Sequence, residues 1–241
     1  MTSQSKRRVL ITGASSGIGK ATAIAFAQQG FDLALVGRDL SRLAAVVDQV
    51  SAHGVVAKPY AIDLAEVAQV KSQIQAIAAD FGAIDILINN AGMGYTNDLA
   101  DTPLVDWQRV LDLNLTSVFQ CIQAVLPGMR QQQRGTIINV SSIAGHQAFP
   151  NWGAYCASKF GLLALTKTLA AEERAHHIRA IAISPGSVNT SIWDTDTVNA
   201  DFDRSQMLTP EIVAQTILYA ALLPEQAVIE DLILMPNVGT F

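Results

Sequence analysis

The chain has 241 residues and a formal net charge of −5, with 50% apolar and 15% charged residues. That composition supplies a core and excludes a disordered chain. The acidic balance argues against a nucleic-acid partner, which needs a basic face. In chain order, the polar start Thr2 to Ser5 has no signal-peptide character. No run reaches the roughly 18 uninterrupted apolar residues of a membrane span, so a cytoplasmic location with no membrane partner is expected. Lys6-Arg7-Arg8 reads as a solvated strand entry, and Arg8 to Thr12 as a first strand. Gly17 to Gln29 follows as a helix, with Ala21, Ala25 and Phe26 among its apolar positions. Phe31 to Val36 is a second strand, Leu40 to Ser51 a second helix, Val55 to Ile62 a third strand and Glu66 to Phe81 a third helix. Ile84 to Ile88 is a fourth strand, followed by a long helical stretch from about Pro103 to Gln133, interrupted near Asn114. Thr136 to Val140 is a fifth strand, Tyr155 to His176 a long helix and Ile178 to Ile183 a sixth strand. Pro210 to Leu222 is a further helix and Asp231 to Met235 a last strand.

Strands apolar on both faces and separated by helices imply a parallel sheet covered on both sides. Right-handed crossovers make this an α/β doubly wound fold, whose ligands bind beyond the carboxyl ends of the strands. At roughly 150 residues per domain, the length fits one large domain over residues 1–241. Cys121 and Cys156 are too few for a disulfide framework and read as reduced and structural.

The first strand runs into Thr12-Gly13-Ala14-Ser15-Ser16-Gly17-Ile18-Gly19. Glycines let the backbone turn tightly and approach a pyrophosphate. The helix N-terminus then offers free N–H groups and partial positive charge. A glycine loop alone also fits a plain strand-to-helix turn, but its place after the first strand favours a dinucleotide site. Asp39, 20 residues after Gly19, has the spacing of an acidic ribose ligand for NAD. It sits better as the N-cap of the second helix. Arg38 then faces the place of a 2′-phosphate, which a guanidinium binds well, so NADP(H) is expected over NAD(H). The plain alternative for Arg38 is an exposed turn residue paired with a neighbour. Asp63 either accepts from an adenine amino group or caps a helix, and both readings stay open. Asn89-Asn90-Ala91-Gly92 closes the fourth strand and offers a small, flat floor.

Tyr155 and Lys159 are four residues apart, so they share a helix face. A nearby ammonium favours a phenolate and predicts a lowered tyrosine pKa. Such a tyrosine is a general acid toward a carbonyl and a base toward an alcohol. Ser142, beyond the fifth strand at the same edge, is placed to hydrogen-bond the substrate oxygen. The plain reading of the pair is a half-buried aromatic and a solvated lysine.

Taken in order, Thr-Gly-x-x-x-Gly-x-Gly (12–19), Asn-Asn-Ala-Gly (89–92), Asn114, Ser142, Tyr-x-x-x-Lys (155–159) and Pro-Gly (185–186) resemble the short-chain dehydrogenase/reductase family over nearly the whole chain. The resemblance implies a single Rossmann domain with a seven-stranded sheet of order 3-2-1-4-5-6-7. It implies that Asn114 holds a water near Lys159, Ser142 orients the carbonyl and Tyr155 transfers the proton. Lys159 would also bond the nicotinamide ribose. Asp63-Leu64 would sit at the adenine end, and Pro185, Gly186, Val188 and Thr190 at the nicotinamide end. The Gly37-Arg38 pair resembles NADP-preferring members, although Ser16 is not basic. Members are commonly tetramers, and Phe119, Ile122, Leu163 and Leu169 read as outer apolar faces for such assembly. The ending Asp231 to Phe241 resembles hydroxy-acid dehydrogenase-like members more than 3-oxoacyl carrier-protein reductases.

Substrate identity is expected in Gly94 to Asn97, Ile143 to Trp152 and a substrate loop over about 187–209, long enough for a lid. Phe149, Trp152 and Trp193 read either as packing or as an apolar pocket. Asp194, Asp196, Asp201 and Asp203 read as a solvated acidic surface that disfavours anionic substrates, and His146, close after Ser142, either as a substrate contact or, as loop histidines usually are, as an exposed residue. Glu172 and Glu173 read as solvated helix acids. His176-His177 face different ways and make a poor metal site. The leading function is NADPH-dependent reduction of a small or medium apolar ketone or keto ester, reversible as an alcohol dehydrogenase. The alternatives are a 3-oxoacyl or 3-hydroxy-acid oxidoreductase and a catalytically silent dinucleotide-binding regulator. A sugar-nucleotide epimerase is disfavoured by length and glycine spacing.

Overall fold

The computed structural model describes residues 6–200 and 203–239. The polar start Thr2 to Ser5, the loop acid Asp201 and the terminal Phe241 lie outside the described residues. Seven strands, β1 (Arg8–Thr12), β2 (Asp32–Gly37), β3 (Ala57–Ala61), β4 (Ile86–Asn89), β5 (Gly135–Val140), β6 (Ile178–Pro185) and β7 (Asp231–Leu234), form one sheet. All neighbours pair parallel, in the order β3-β2-β1-β4-β5-β6-β7 expected for a Rossmann-type fold. Among the described residues seven α-helices cover it: α1 (Gly17–Gln28), α2 (Leu40–Ser51), α3 (Val67–Phe81), α4 (Leu104–Leu111), α5 (Ser117–Gln132), α6 (Gly153–Glu173) and α7 (Pro210–Leu222).

The period of two along each strand fills both faces. On β1, Val9 and Ile11 pack into one layer with Phe26 of α1, Leu43 of α2 and Ile217 of α7. Leu10 points the other way, into a layer with Ile74 of α3, Val125 of α5 and Leu162 of α6. The edge strand β3 carries Pro59, which an edge tolerates because one side of it has no ladder partner to supply. Asp39 caps α2 as expected, accepting from Ser41 N at 2.9 Å and Arg42 N at 3.1 Å.

Four differences from the sequence-based expectations bear on the site. The stretch Leu104–Gln132 does not break near Asn114; it widens into a π turn, Asp112–Thr116. Such turns open the helical ladder and often mark functional positions. The stretch is the one described helix with the length and composition to cross a membrane, yet α5 packs against α3, β4 and β5. Second, α6 starts at Gly153 rather than Tyr155, so Tyr155 lies inside its first turn. Third, Glu173 is not solvated: it is fully buried and forms a two-pronged ion pair with Arg130. Fourth, Ile122, Leu163 and Leu169 are buried, 2%, 6% and 4% exposed: Ile122 and Leu169 belong to the core layer against the sheet, and Leu163 packs on the turn at Gly145; Phe119 alone of the four reaches the outer surface.

Candidate active site

The carboxyl ends of β1, β4, β5 and β6 open on one cleft. Its first wall is the turn from β1 into α1. Gly13 has φ +65° and Gly17 φ +50°, conformations that strain any residue with a Cβ. Gly19 is set by close approach instead: a Cβ there would lie 2.2 Å from Gly13 O and 2.6 Å from Asn90 Nδ2. Asn90 ties the turn down, its Nδ2 donating to Thr12 O at 3.0 Å and Gly13 O at 3.2 Å. Thr12 Oγ1 accepts from the N–H groups of Asn90 and Ala91, both at 3.0 Å. Across the cleft, Thr190 Cγ2 would lie 3.1 Å from a Cβ on Gly17. Ser16, the N-cap of α1, makes no side-chain capping bond, so the first N–H groups stay available to an anion. The chemistry of this cradle, glycines without Cβ atoms at a helix N-terminus, fits a dinucleotide pyrophosphate.

Arg38 and Asp63 stand at exposed tips of neighbouring strands, joined by Ile62 N donating to Gly37 O at 2.9 Å. The Arg38 side chain has no hydrogen bond or ion pair among the described residues. Ser15 Oγ lies 3.6 Å from where a Gly37 Cβ would stand, so the loop and the tip of β2 face one another. Asp63 accepts from Ala65 N at 3.0 Å as a turn residue, whereas the N-cap of α3 is Glu66. Leu64 is 4% exposed and buried with the α3 layer, so its side chain is core and it offers the cleft only backbone.

The second wall comes from β5 and α6. Ser142 caps a 3-10 turn, Ile143–Gly145, its Oγ accepting from Ala144 N at 3.1 Å. Ser142 and Tyr155 line the same cleft. One helical turn on, Lys159 Nζ lies 5.7 Å from the Tyr155 ring centroid. It donates to Val140 O at 3.0 Å. Burial draws the Lys159 pKa down to about 8. At Tyr155 the structure reverses the expected direction. Burial raises the phenol pKa, and the nearby Ser142 hydroxyl only partly opposes it. The reason is that loss of water disfavours both charged forms, the phenolate and the ammonium.

Asn114 sits in the π turn, 1% exposed. Its Nδ2 donates to Met93 O at 2.9 Å and Ser158 Oγ at 3.1 Å, and its Oδ1 accepts from Met93 N at 2.8 Å. It meets Lys159 beside Gly92: a Cβ there would lie 3.1 Å from Asn114 Oδ1 and 3.8 Å from Lys159 Nζ. Both amide donors are therefore engaged by the protein itself. The Met93 and Ser158 partners were not visible in the sequence, since nothing in their spacing marks them.

The third wall holds Phe149, Trp152 and Trp193, joined by Met93, Ile143, Ile192 and Val198. Trp152 stands edge-on to Tyr155 at 5.4 Å and to Trp193 at 6.0 Å between ring centroids. Ile18, Asn90, Gly92, Pro185, Gly186, Val188 and Thr190 line the same cleft. Lys159 is the one charged side chain among its described lining residues. The loop after β6 is latched to the segment after β4. Thr96 N donates to Thr197 O at 2.9 Å, Thr197 Oγ1 to Gly94 O at 2.8 Å and Asn199 N to Thr96 Oγ1 at 2.7 Å. The loop acids are not simply solvated: Asp194 pairs with Arg204, and Asp203 caps the turn Arg204–Gln206.

Comparison with known proteins places this geometry. The sequence profile of the short chain dehydrogenases matches residues 7–200. An uncharacterised oxidoreductase of Staphylococcus saprophyticus is 36% identical over 236 residues, 95% of each chain. A 3-oxoacyl-[acyl-carrier-protein] reductase of Thermotoga maritima is 36% identical over 222 residues, 88% of this chain and 89% of that protein. The crystal structure of an alcohol dehydrogenase from Thermococcus sibiricus, complexed with 5-hydroxy-NADP, superposes with a TM-score of 0.88 at 26% identity, covering 96% of this chain and 97% of that one. With its profile, its relatives and its sheet order in agreement, the chain belongs to the short-chain dehydrogenase/reductase family of oxidoreductases.

Proposed function

We propose that this chain is an NADPH-dependent carbonyl reductase, reversible as an alcohol dehydrogenase, acting on an uncharged and largely apolar ketone or keto ester. The observation that carries the reading is that Ser142 and Tyr155 line one cleft together with the Phe149, Trp152 and Trp193 wall. Among the described residues a carboxylate substrate would find no cationic partner there except Lys159, which is engaged with Val140.

Gly13, Ser15, Ser16, Gly17, Ile18 and Gly19 would hold the pyrophosphate. Arg38, which lacks a protein partner among the described residues, would take the 2′-phosphate, as the relative solved with an NADP derivative makes reasonable. Asp63 and the Leu64 backbone would border the adenine, with Asn90, Ala91 and Gly92 as a floor. Pro185, Gly186, Val188, Thr190, Tyr155 and Lys159 would border the nicotinamide, which when bound supplies the hydride. Ser142 donates a hydrogen bond to the carbonyl oxygen. Tyr155, held as a neutral phenol by burial, gives its proton to that oxygen. Lys159 supplies positive charge beside the phenol as it ionises, and Asn114 fixes the Met93 segment and any water beside Lys159. The loop over 187–209 acts as the substrate lid. A cytoplasmic tetramer, with Phe119 of α5 and Phe160 of α6 on the contact faces, completes the proposal.

The experiment is NADPH and NADH consumption over aliphatic, aromatic and β-keto carbonyls, by the wild type and Tyr155→Phe. NADPH-dependent turnover of neutral ketones, lost in the variant, is expected. NADPH binding without turnover of any carbonyl would overturn the reading in favour of a silent regulator. A second reading, reduction of 3-oxoacyl thioesters, is favoured by the identity to the Thermotoga reductase. Faster turnover of a 3-oxoacyl thioester than of any simple ketone would select it.

A further inference from the structure

The sequence alone presents His146 as a loop residue that is either exposed or a substrate contact. In the structure its side chain is 22% exposed, and Nε2 lies 3.0 Å from Ser184 Oγ and 3.6 Å from Asp231 Oδ1. We propose that His146 is a positioning residue, which fixes the Ser142 turn against the strand that ends in Pro185. The inference rests on the reductase reading above.

Three elements meet at this imidazole. His146 closes the turn that Ser142 caps, its backbone N–H donating to Ile143 O at 2.9 Å. Ser184 lies on β6, fully buried, one residue before Pro185. Asp231 opens the neighbouring strand β7. Its Oδ1 is buried and has no hydrogen-bond partner among the described residues. A buried carboxylate oxygen without a donor is costly, and a bare imidazole lone pair turned toward it would be repelled. Both facts assign the proton to Nε2, aimed between Asp231 Oδ1 and Ser184 Oγ. Lys167 of α6 stands 3.9 Å from Asp231 Oδ2 and balances the carboxylate.

On its other side the turn is wedged against the catalytic helix. A Cβ on Gly145 would lie 2.9 Å from both Leu163 Cδ1 and Lys159 O. The turn thus has one fixed contact with α6 and one polar tie, through His146, to β6 and β7. Ser184, His146 and Asp231 have the composition of a hydrolytic triad. They are not one: the serine hydroxyl is fully buried, and serine and carboxylate face the same ring nitrogen. The cluster is a brace. Ser142 has to reach both Tyr155 and a carbonyl oxygen, and a shift of about 1 Å in such a donor costs on the order of a hundredfold in rate.

The test compares wild type, His146→Leu, His146→Gln and Ser184→Ala. His146→Leu is expected to lower kcat about tenfold or more, with KM and the NADPH Kd held within about twofold. His146→Gln, whose amide N–H replaces Nε2–H, is expected to recover most of that loss, and Ser184→Ala to give an intermediate one. An unchanged kcat in His146→Leu would overturn the proposal. So would equal losses in the Leu and Gln variants accompanied by weakened NADPH binding and a lowered Tm, which mark a purely structural role. A wild type inactive on every carbonyl would reject the reductase reading instead. Ionisation of Tyr155, followed by tyrosinate absorbance against Tyr155→Phe, then reads the Ser142 contact without substrate. An upward shift of about one pH unit in His146→Leu but not in His146→Gln supports the brace, and no shift overturns it.

Discussion

The two ends of the sheet handle charge in opposite ways. At the carboxyl end, a serine, a tyrosine and a single lysine face a cleft otherwise lined by apolar and small polar groups. At the amino end of β4, β5 and β6, another cleft is lined by Arg7, Asp85, Arg134, Arg174, Arg179 and Glu230, among others. The amino-end cleft is the richer in ionisable groups, yet most of its charges are spent on the protein. Arg134 pairs with Asp85 at 2.9 Å and Arg174 with Glu230 at 3.2 Å. Arg7 is not merely solvated; it stacks on Phe31, 4.7 Å from the ring centroid. Arg179 directs its donors to Thr136 Oγ1 and to the carbonyls of Ala221, Leu223 and Ala227, so it closes the C-terminal end of α7. The comparison teaches that a count of ionisable residues does not locate a site. What locates it is donors and protons left facing open space, where parallel strands end and helices begin.

The largest expected effect tests the carboxyl end. Tyr155→Phe removes the proton donor and keeps the ring packed against Trp152. Its kcat for ketone reduction should fall about a thousandfold while the urea midpoint stays put. A large drop in stability would mean that the phenol is structural. The mirror experiment is Arg179→Ala at the amino end. It leaves several carbonyls without a donor, so urea unfolding should show a loss of about 2–3 kcal/mol. Activity per folded molecule should be unchanged; a lower kcat would break the contrast between the two ends.

Smaller effects sharpen it. Arg38→Asp should shift the preference for NADPH over NADH by about ten- to a hundredfold, measured as the ratio of the two kcat/KM values. An unchanged ratio would remove Arg38 from the cofactor site. The last effect is one of pH. With the Lys159 pKa near 8, ketone reduction should decline as pH rises through that value, because the ammonium is lost. Stability of the cofactor-free chain should move the opposite way between about 8 and the ordinary lysine value of 10.5. In that window the unfolded chain still holds the Lys159 proton and the folded chain does not, so stability rises with pH. Lys159→Met should abolish both trends, as rate profiles and urea titrations at about pH 7 and about pH 9.5 would show.

Much of the fold was legible in the residues. The seven strands and the helices between them lie where apolar runs and caps put them, with ends moved by a few positions at β3, β4 and α6. Asp39 was readable as a cap because its oxygen needs only the two N–H groups that follow it. The Asn114 interruption was readable as a place but not as a shape, since a π turn depends on what the widened helix packs against. The faces of α5 and α6 were misassigned at Ile122, Leu163 and Leu169. A helix between sheet and solvent shows its period, but that period does not say which side is core.

By itself, the sequence determined the strand and helix succession, the glycine turn at 12–19 and the one-turn separation of Tyr155 from Lys159. These follow from φ preferences, side-chain periodicity and helical pitch, which act over a few residues. Only the tertiary structure decided that burial raises the Tyr155 pKa and lowers that of Lys159. It also decided that Glu173 is interior, that Asn114 serves Met93 and Ser158, and that His146 reaches Ser184 and Asp231. Each of these depends on which distant segments meet and on how much water they exclude where they meet, and no local spacing encodes that.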